Sequence, residues 1–341
     1  MQKEMNPCYD VTIIGGGPTG LFAAFYAGMR DMKTKVIEAA PYLGGKLPYY
    51  REKFLYDIGG IEAITAEDLT KELEAQARTF DPTIVLSQLI ETMERLDDGT
   101  FRLTSQTGEV HLTHTVLVAA GGGTLVAEKL DLPNARQYEG RHLHYKAESL
   151  EQFRNKRVLI SGGGDSAVDW AIALASIAES VTIVHRRDEF RAHEGNVAQM
   201  RNTSVHIMTS SLLCGIHGDQ ERIYEVTIEH FDSGEISVLE IDEILVCHGV
   251  KPDLGEIKHW GLKIERGRVI VDAWMQTSIP GIFAAGDVAE YPGKLPGLIA
   301  GGFMEGPAAI NRAKAYLEPY EDIKPIWSTG HPKLMAIHGE S

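Results

Sequence analysis

A chain of 341 residues with 43% hydrophobic content can bury the cores of about two domains of ordinary size. Its formal net charge of −15 argues against nucleic acid as a partner, because a field of that sign repels phosphates. Cys8, Cys214 and Cys247 are far apart and no Cys-x-x-Cys occurs, which excludes a local redox dithiol and any zinc or iron–sulfur site of that spacing.

In chain order, the apolar run Asp10–Ile14 ends in Gly15-Gly16-Gly17-Pro18-Thr19-Gly20 and leads into an Ala-rich helical pattern. Such a Gly-rich turn lets a pyrophosphate approach the backbone N–H groups at a helix N-terminus. The Val11–Met29 stretch is hydrophobic, but Pro18 and the glycines of the turn divide it into strand, turn and helix. No basic leader or small-residue cleavage site precedes it, so neither a signal peptide nor a membrane span is expected, and the expected location is cytoplasmic. The next strand, Lys35-Val-Ile-Glu38, ends in a carboxylate 18 positions beyond Gly20 (38 − 20), suited to a ribose 2′-hydroxyl and repelling a 2′-phosphate. This first site is therefore expected to take FAD or NAD.

Thr65-Ala-Glu-Asp68 opens a helical run to Phe80 with a capping-box-like start. Short β-rich segments follow at Ile84–Leu86, Ile90–Leu96 and Phe101–Thr104. Thr115–Ala120 reads as a buried strand ending in Gly121-Gly122-Gly123, a first crossover between domains. A second opening, Arg157–Ser161 then Gly162-Gly163-Gly164-Asp165-Ser166-Ala167, lies 147 positions after the first (162 − 15), a domain-scale offset.

Here the following strand, Ser180–Val184, ends in His185-Arg186-Arg187, with Arg191 beyond. Charge-assisted bonds of about 1.5–3 kcal/mol each would favour a 2′-phosphate, so the second site is expected to take NADP(H). Ile244–Cys247 is a further buried strand, closed at Gly249, and Gly267–Val271 and Gly281-Ile-Phe-Ala-Ala-Gly286-Asp287 follow. Asp287 is placed to meet a polyol hydroxyl, which with the first turn favours FAD there. Pro307 is expected in the first turn of a helix running toward Tyr316, its positive end toward the flavin.

The predicted fold class is α/β, with two Rossmann-like, three-layer ββα domains, one inserted in the other. Residues 1–121 would begin the FAD domain, 122–249 form the NADPH domain, and 250–341 complete the FAD domain with a C-terminal tail. Gly121–Gly123 and Gly249 suit a hinge. Two basic patches, Arg51/Lys53 and Arg154/Lys156/Arg157, offer docking points for an acidic carrier or are ordinary solvated residues.

Gly15–Gly20, Leu43-Gly-Gly-Lys-Leu47, Tyr56-Asp-Ile-Gly-Gly60, Gly162–Trp170, His185–Ala192, Phe283–Asp287 and Ala313–Tyr316 together resemble the ferredoxin/flavodoxin–NADP⁺ reductases of the thioredoxin-reductase-like type, over nearly the full length. A thioredoxin reductase would carry Cys-x-x-Cys where residues 142–149 hold none, so the resemblance implies electrons leaving directly from FAD to ferredoxin or flavodoxin. It further implies a homodimer, a flavin-covering role for the C-terminal tail, and flavin stacking by Tyr50 and, from the partner subunit, by Trp327. The implied FAD residues are Gly15, Gly17, Pro18, Thr19, Gly20, Glu38, Gly45, Lys46, Leu47, Tyr50, Ile90, Gly121, Asp287 and Ser328. For NADP they are Gly162, Gly164, Asp165, Ser166, Ala167, Arg186, Arg187 and Arg191. No acid–base residue and no metal is implied, because the cofactors carry the chemistry.

Four departures stand out: Lys46 in place of glutamine, Trp327 of histidine, Ala308 of threonine, and Gly123–Ala127 without the family's aromatic and proline. Alternative activities on this scaffold are an NADPH oxidase, a low-molecular-weight disulfide reductase, or a redox sensor holding both cofactors without turnover.

Overall fold

The computed structural model describes residues 7–147, 149–322, 324 and 326–337. The chain divides into two compact units, Met1–Thr124 with Pro252–Ser341, and Leu125–Lys251. The two chain crossings, Thr124–Ala127 and Val250–Asp253, pair as a two-stranded sheet.

The first unit is organised by a seven-stranded sheet. Cys8–Ile14 lies between Thr34–Ile37 and Val110–Val118, all parallel. Val110–Val118 is shared along its length. Its first half pairs antiparallel with Phe101–Ser105, and its last residues pair parallel with Ile282–Ala284. The register Ile14↔Val118 and Val118↔Ala284 therefore brings the first Gly-rich turn and the Gly286-Asp287 turn to one carboxyl-terminal sheet edge, where ligands of such folds bind.

Helix Pro18–Met29 covers this sheet with Leu21, Ala23, Ala24 and Ala27, all essentially inaccessible, over Val11, Ile13 and Val36. Each fully buried Ile or Leu of this core contributes about 1.5–3 kcal/mol. Ala66–Arg78 forms the expected helix, with the Thr65 hydroxyl accepting from Asp68 N–H at 3.1 Å.

The second unit has the parallel order Leu143–His144, Glu243–Cys247, Arg157–Gly162, Ser180–Val184, His206–Met208. Alternation along Arg157–Gly162 sorts its two faces. Val158 and Ile160 pack with Ala167, Val168 and Leu174 of helix Asp165–Leu174, while Leu159 packs with Leu213, Val226 and Ile228 of a three-stranded antiparallel sheet. Sheet, sheet and helices make the ββα layering expected from the chain.

One expectation is corrected. The C-terminal helix runs Ile299–Leu317, so Pro307 sits in its interior and the N-terminus lies eight residues earlier (307 − 299). Three glycines near its start look like loop by propensity, but they allow close packing. A Cβ on Gly302 would lie 2.1 Å from Thr19 Oγ1, and one on Gly306 3.2 Å from Ala23 Cβ. Packing against Pro18–Met29 overrides the weak intrinsic preference.

Candidate functional site

Both Gly-rich turns use the same backbone solution. Gly15 has φ +115°, and a Cβ there would meet Ala119 O at 2.4 Å; Gly162 has φ +155°, and a Cβ would meet Cys247 O at 2.4 Å. Each turn thus crosses hard against the neighbouring strand, which only glycine permits. Gly17 and Gly164 are the extended N-caps of the two helices, and neither helix has a side-chain cap. The first-turn N–H groups, with the positive end of the helix dipole, are left for an anion. Pro18, Thr19 and Gly20 occupy the first turn of one helix, and Asp165, Ser166 and Ala167 that of the other. A Cβ on Gly20 would come 2.0 Å from Gly15 O, so helix and turn are in direct contact.

At the first turn, Glu38 bridges backbone groups. Its Oε2 accepts from Gly16 N–H at 2.6 Å and its Oε1 from Ala40 N–H at 2.8 Å. The carboxylate is fixed at the strand end with lone pairs remaining for ribose hydroxyls. Gln88 N–H donates to Glu38 O, which ties the approach to buried Ile90 to the same edge. Gly45 packs its backbone on Gly17, where a Cβ would reach Gly17 Cα at 2.9 Å, and Gly44 N–H donates to Gly16 O. Lys46, Leu47 and Tyr50 follow on this loop. Leu47 is buried, and Tyr50 is half-buried, its phenol pushed up by burial and then by Asp287 and Asp57.

Lys46, which stands in place of the family's glutamine, pairs with Asp287 at 3.2 Å. Asp287 also accepts from Gly297 N–H at 2.9 Å. Burial opposes its ionisation, but those hydrogen bonds and the charges of Lys46 and Lys294 hold the carboxyl below its usual range. Gly121 has φ +61° and a Cβ there would meet nothing within 4 Å, whereas a Cβ on Gly123 would strike Asp253 O at 2.0 Å; of the proposed hinge glycines, Gly123 is packed and Gly121 and Gly249 are open.

At the second turn the strand end is basic. His185 is buried, stacks on Phe190 at 5.3 Å and packs on Gly163, where a Cβ would lie 2.3 Å from its ring. Burial and the neighbouring Arg187, Arg191 and Arg186 push its pKa down, so it supplies shape and no charge. Arg186, Arg187 and Arg191 are exposed and join none of the ion pairs among the described residues. Arg191 N–H donates to Gly163 O at 2.8 Å, which brings its segment over the turn. Asp165, an awkward charge near a phosphate, accepts from His193 N–H at 2.9 Å.

Trp327 and Ser328 stand apart from these groups. Trp327 is 70% exposed, and the segment around it is anchored by Lys324 O accepting from Arg30 at 2.8 Å and His331 against Phe80 at 5.0 Å. Arg30 caps the far end of helix Pro18–Met29, whose 12 residues span about 18 Å from the turn. Of the basic patches, Arg154 is neutralised by Glu151 and Arg157 by Asp242 and Glu240, leaving Lys156 in that patch, and Arg51 and Lys53 in the other, outside any ion pair among the described residues. Cys247, beside Gly162, has its thiol pushed up to about 12 by burial, and all three cysteines are free. Among the described residues no group of three or more His, Cys, Asp or Glu is arranged to hold a metal ion, and no helix is long and apolar enough to cross a membrane.

Sequence reasoning missed one part of this edge. Glu305 and Lys294, 1% and 4% exposed at the side chain, form a buried ion pair behind Gly286. Only the cost of burying a glutamate and a lysine hints at it, and burial is not visible in a single sequence.

The pyridine nucleotide-disulphide oxidoreductase family model matches residues 9–313. A ferredoxin–NADP reductase 1 of Bacillus velezensis is 53% identical over 97% of this chain and 99% of its own. A ferredoxin–NADP reductase 2 of Oceanobacillus iheyensis is 48% identical over 94% and 98%. Among solved structures, thioredoxin reductase of Lactococcus lactis matches with a TM-score of 0.64 and 28% identity, over 91% of this chain and 99% of that one. The chain therefore belongs to the pyridine nucleotide-disulphide oxidoreductases and, within them, to the group that holds the ferredoxin–NADP reductases.

Proposed function

We propose that the protein passes electrons from NADPH through FAD to a one-electron carrier, ferredoxin or flavodoxin, with no dithiol on the route. The observation that carries this reading is the opposite charge at two equivalent strand ends, Glu38 after the first Gly-rich turn and Arg186, Arg187 and Arg191, without an ion-pair partner among the described residues, after the second. A carboxylate accepts ribose hydroxyls and rejects a 2′-phosphate; arginines do the reverse.

The residues fit these groups. For FAD, Gly15–Gly20 and Gly45 would cradle the pyrophosphate, Glu38 the ribose, Asp287 the polyol chain, and Tyr50 a face of the ring. For NADP(H), Gly162–Ala167 would take the pyrophosphate and the three arginines the 2′-phosphate. Bound together, these cofactors supply hydride acceptance and one-electron release. The chain's own work is positional: the two turns orient the phosphates, Lys46 balances Asp287, and no side chain is asked to move a proton.

Loss of sulfur from the route agrees with the absence of a paired thiol and the suppressed Cys247 thiolate. The exposed Trp327, in a segment anchored at Lys324 to the far end of helix Pro18–Met29, suits cover of a second subunit's flavin and supports a homodimer as part of this proposal. NADPH oxidation with ferredoxin, flavodoxin, oxygen and oxidised low-molecular-weight thiols, compared at equal enzyme, tests the reading. Fastest turnover with the carriers supports it; faster turnover with disulfides or oxygen overturns it.

A further inference from the structure

The pair Glu305–Lys294 does more than hold a helix to a sheet. Glu305 Oε2 accepts from Gly286 N–H at 2.7 Å, and Oε1 accepts from the Tyr291 hydroxyl at 2.8 Å and from Lys294. Lys294 also donates to Gly286 O at 3.1 Å. One glycine, immediately before Asp287, therefore has its N–H held by a buried anion and its carbonyl by that anion's own counter-ion. Gly286 has φ +80°, and a Cβ there would lie 2.9 Å from Thr19 Oγ1, the same oxygen that Gly302 crowds.

A buried ion pair is a poor source of stability, since apolar residues of the same volume hold helices to sheets as well or better. What apolar residues cannot do is fix the rotation of the two peptide planes that flank a glycine, one through its N–H and the other through its carbonyl. Here the second of those planes leads directly into Asp287, and Gly286 lies where three pieces meet: the first Gly-rich turn through Thr19, the Gly-Asp turn, and the helix beginning at Ile299.

We propose that Glu305, Lys294 and Tyr291 form a positioning clamp on Gly286 that aims Asp287 at the flavin; this rests on the first site's being the FAD site. The residues touch no reacting atom, so their effect should appear in how flavin is held and not in whether the chain folds.

The test titrates FAD into deflavinated protein, following fluorescence quenching, the visible circular dichroism of bound flavin, and the melting of the apoprotein. Two variants are compared with the parent: Lys294→Met with Glu305→Leu, which removes both charges together, and Glu305→Gln, which keeps the volume and one acceptor. The clamp predicts FAD affinity lower by about tenfold or more in the double variant, with altered visible dichroism and an apoprotein melting close to the parent's. Glu305→Gln is expected to show a smaller loss of affinity in the same direction, and it carries the test if the double variant does not fold. Unchanged affinity and dichroism in a folded variant overturn the clamp. Altered melting with unchanged flavin properties also overturns it, since that marks a structural pair. A parent that takes up no FAD removes the site reading beneath it, a result distinct from variants that bind as the parent does.

Discussion

The two Gly-rich turns are nearly the same object in backbone and opposite in side-chain chemistry. In each, a glycine crosses within 2.4 Å of a neighbouring carbonyl at its hypothetical Cβ, and an uncapped helix begins three residues later. Yet one strand end offers a carboxylate clasped by two backbone N–H groups, and the other offers three arginines with no ionic partner among the described residues. On the proposed reading, the fold supplies a phosphate site twice, and a few residues past the second strand decide which dinucleotide each turn accepts.

The shared half of the comparison breaks under the largest perturbation. Gly20→Ala drives a methyl into Gly15 O, and a cost of about 3 kcal/mol, or more where the helix cannot shift, should abolish FAD retention. Purified protein should be colourless, measured by visible absorbance. Gly162→Ala, whose Cβ would meet Cys247 O, should instead leave a yellow protein that no longer responds to NADPH. If both variants lost the same cofactor, the two turns would not be independent sites.

The contrasting half is sharpened by charge. Arg186→Ala with Arg187→Ala should raise the KM for NADPH by about a hundredfold while leaving that for NADH nearly unchanged, from two charge-assisted bonds lost. Equal effects on both would mean the arginines read no 2′-phosphate. Glu38→Gln should weaken FAD by about tenfold, visible in fluorescence quenching, because an amide keeps only one acceptor.

Acid should act on the second unit through a named pair. The Arg157 guanidinium hydrogen-bonds Asp242 and holds its carboxyl below the usual range, opposed by burial. A depressed carboxyl contributes stability that is full above its unfolded pKa, near about 3.9, and is lost as pH falls through the folded value. Asp242→Asn is therefore expected to lower the melting temperature at pH 7 and to make little difference once the pH is well below the folded pKa. Melting curves at both ends check the sign.

The smallest expected effect concerns sulfur. Cys247→Ser should leave carrier reduction within about twofold, because a thiol pushed up to about 12 is protonated at working pH. A large loss would put sulfur back on the route.

Both turns, both strand ends and the α/β architecture were legible in the sequence, because glycine spacing, a terminal charge and short apolar runs are local signals. The helix toward Tyr316 was foreseen, but its start at Ile299 was not, since Pro307 suits a first turn and the glycines before it look like loop, and only contact with Thr19 and Ala23 explains the early turns. Lys46 was visible as an oddity, but its partner Asp287 lies 241 positions away (287 − 46), and no pattern in one chain announces such a pairing. The clasp of Glu38 on Gly16 N–H and the Glu305–Lys294 pair were illegible for the same reason.

Anaerobic mixing of NADPH with a flavin-loaded chain in which Cys8, Cys214 and Cys247 are all serine tests the central claim most directly, with oxidised ferredoxin added afterwards. The account predicts that the flavin absorbance bleaches on mixing and returns as ferredoxin is reduced, at rates close to the parent's. A flavin that stays oxidised, or one that bleaches but passes nothing to the carrier without the cysteines, would contradict it.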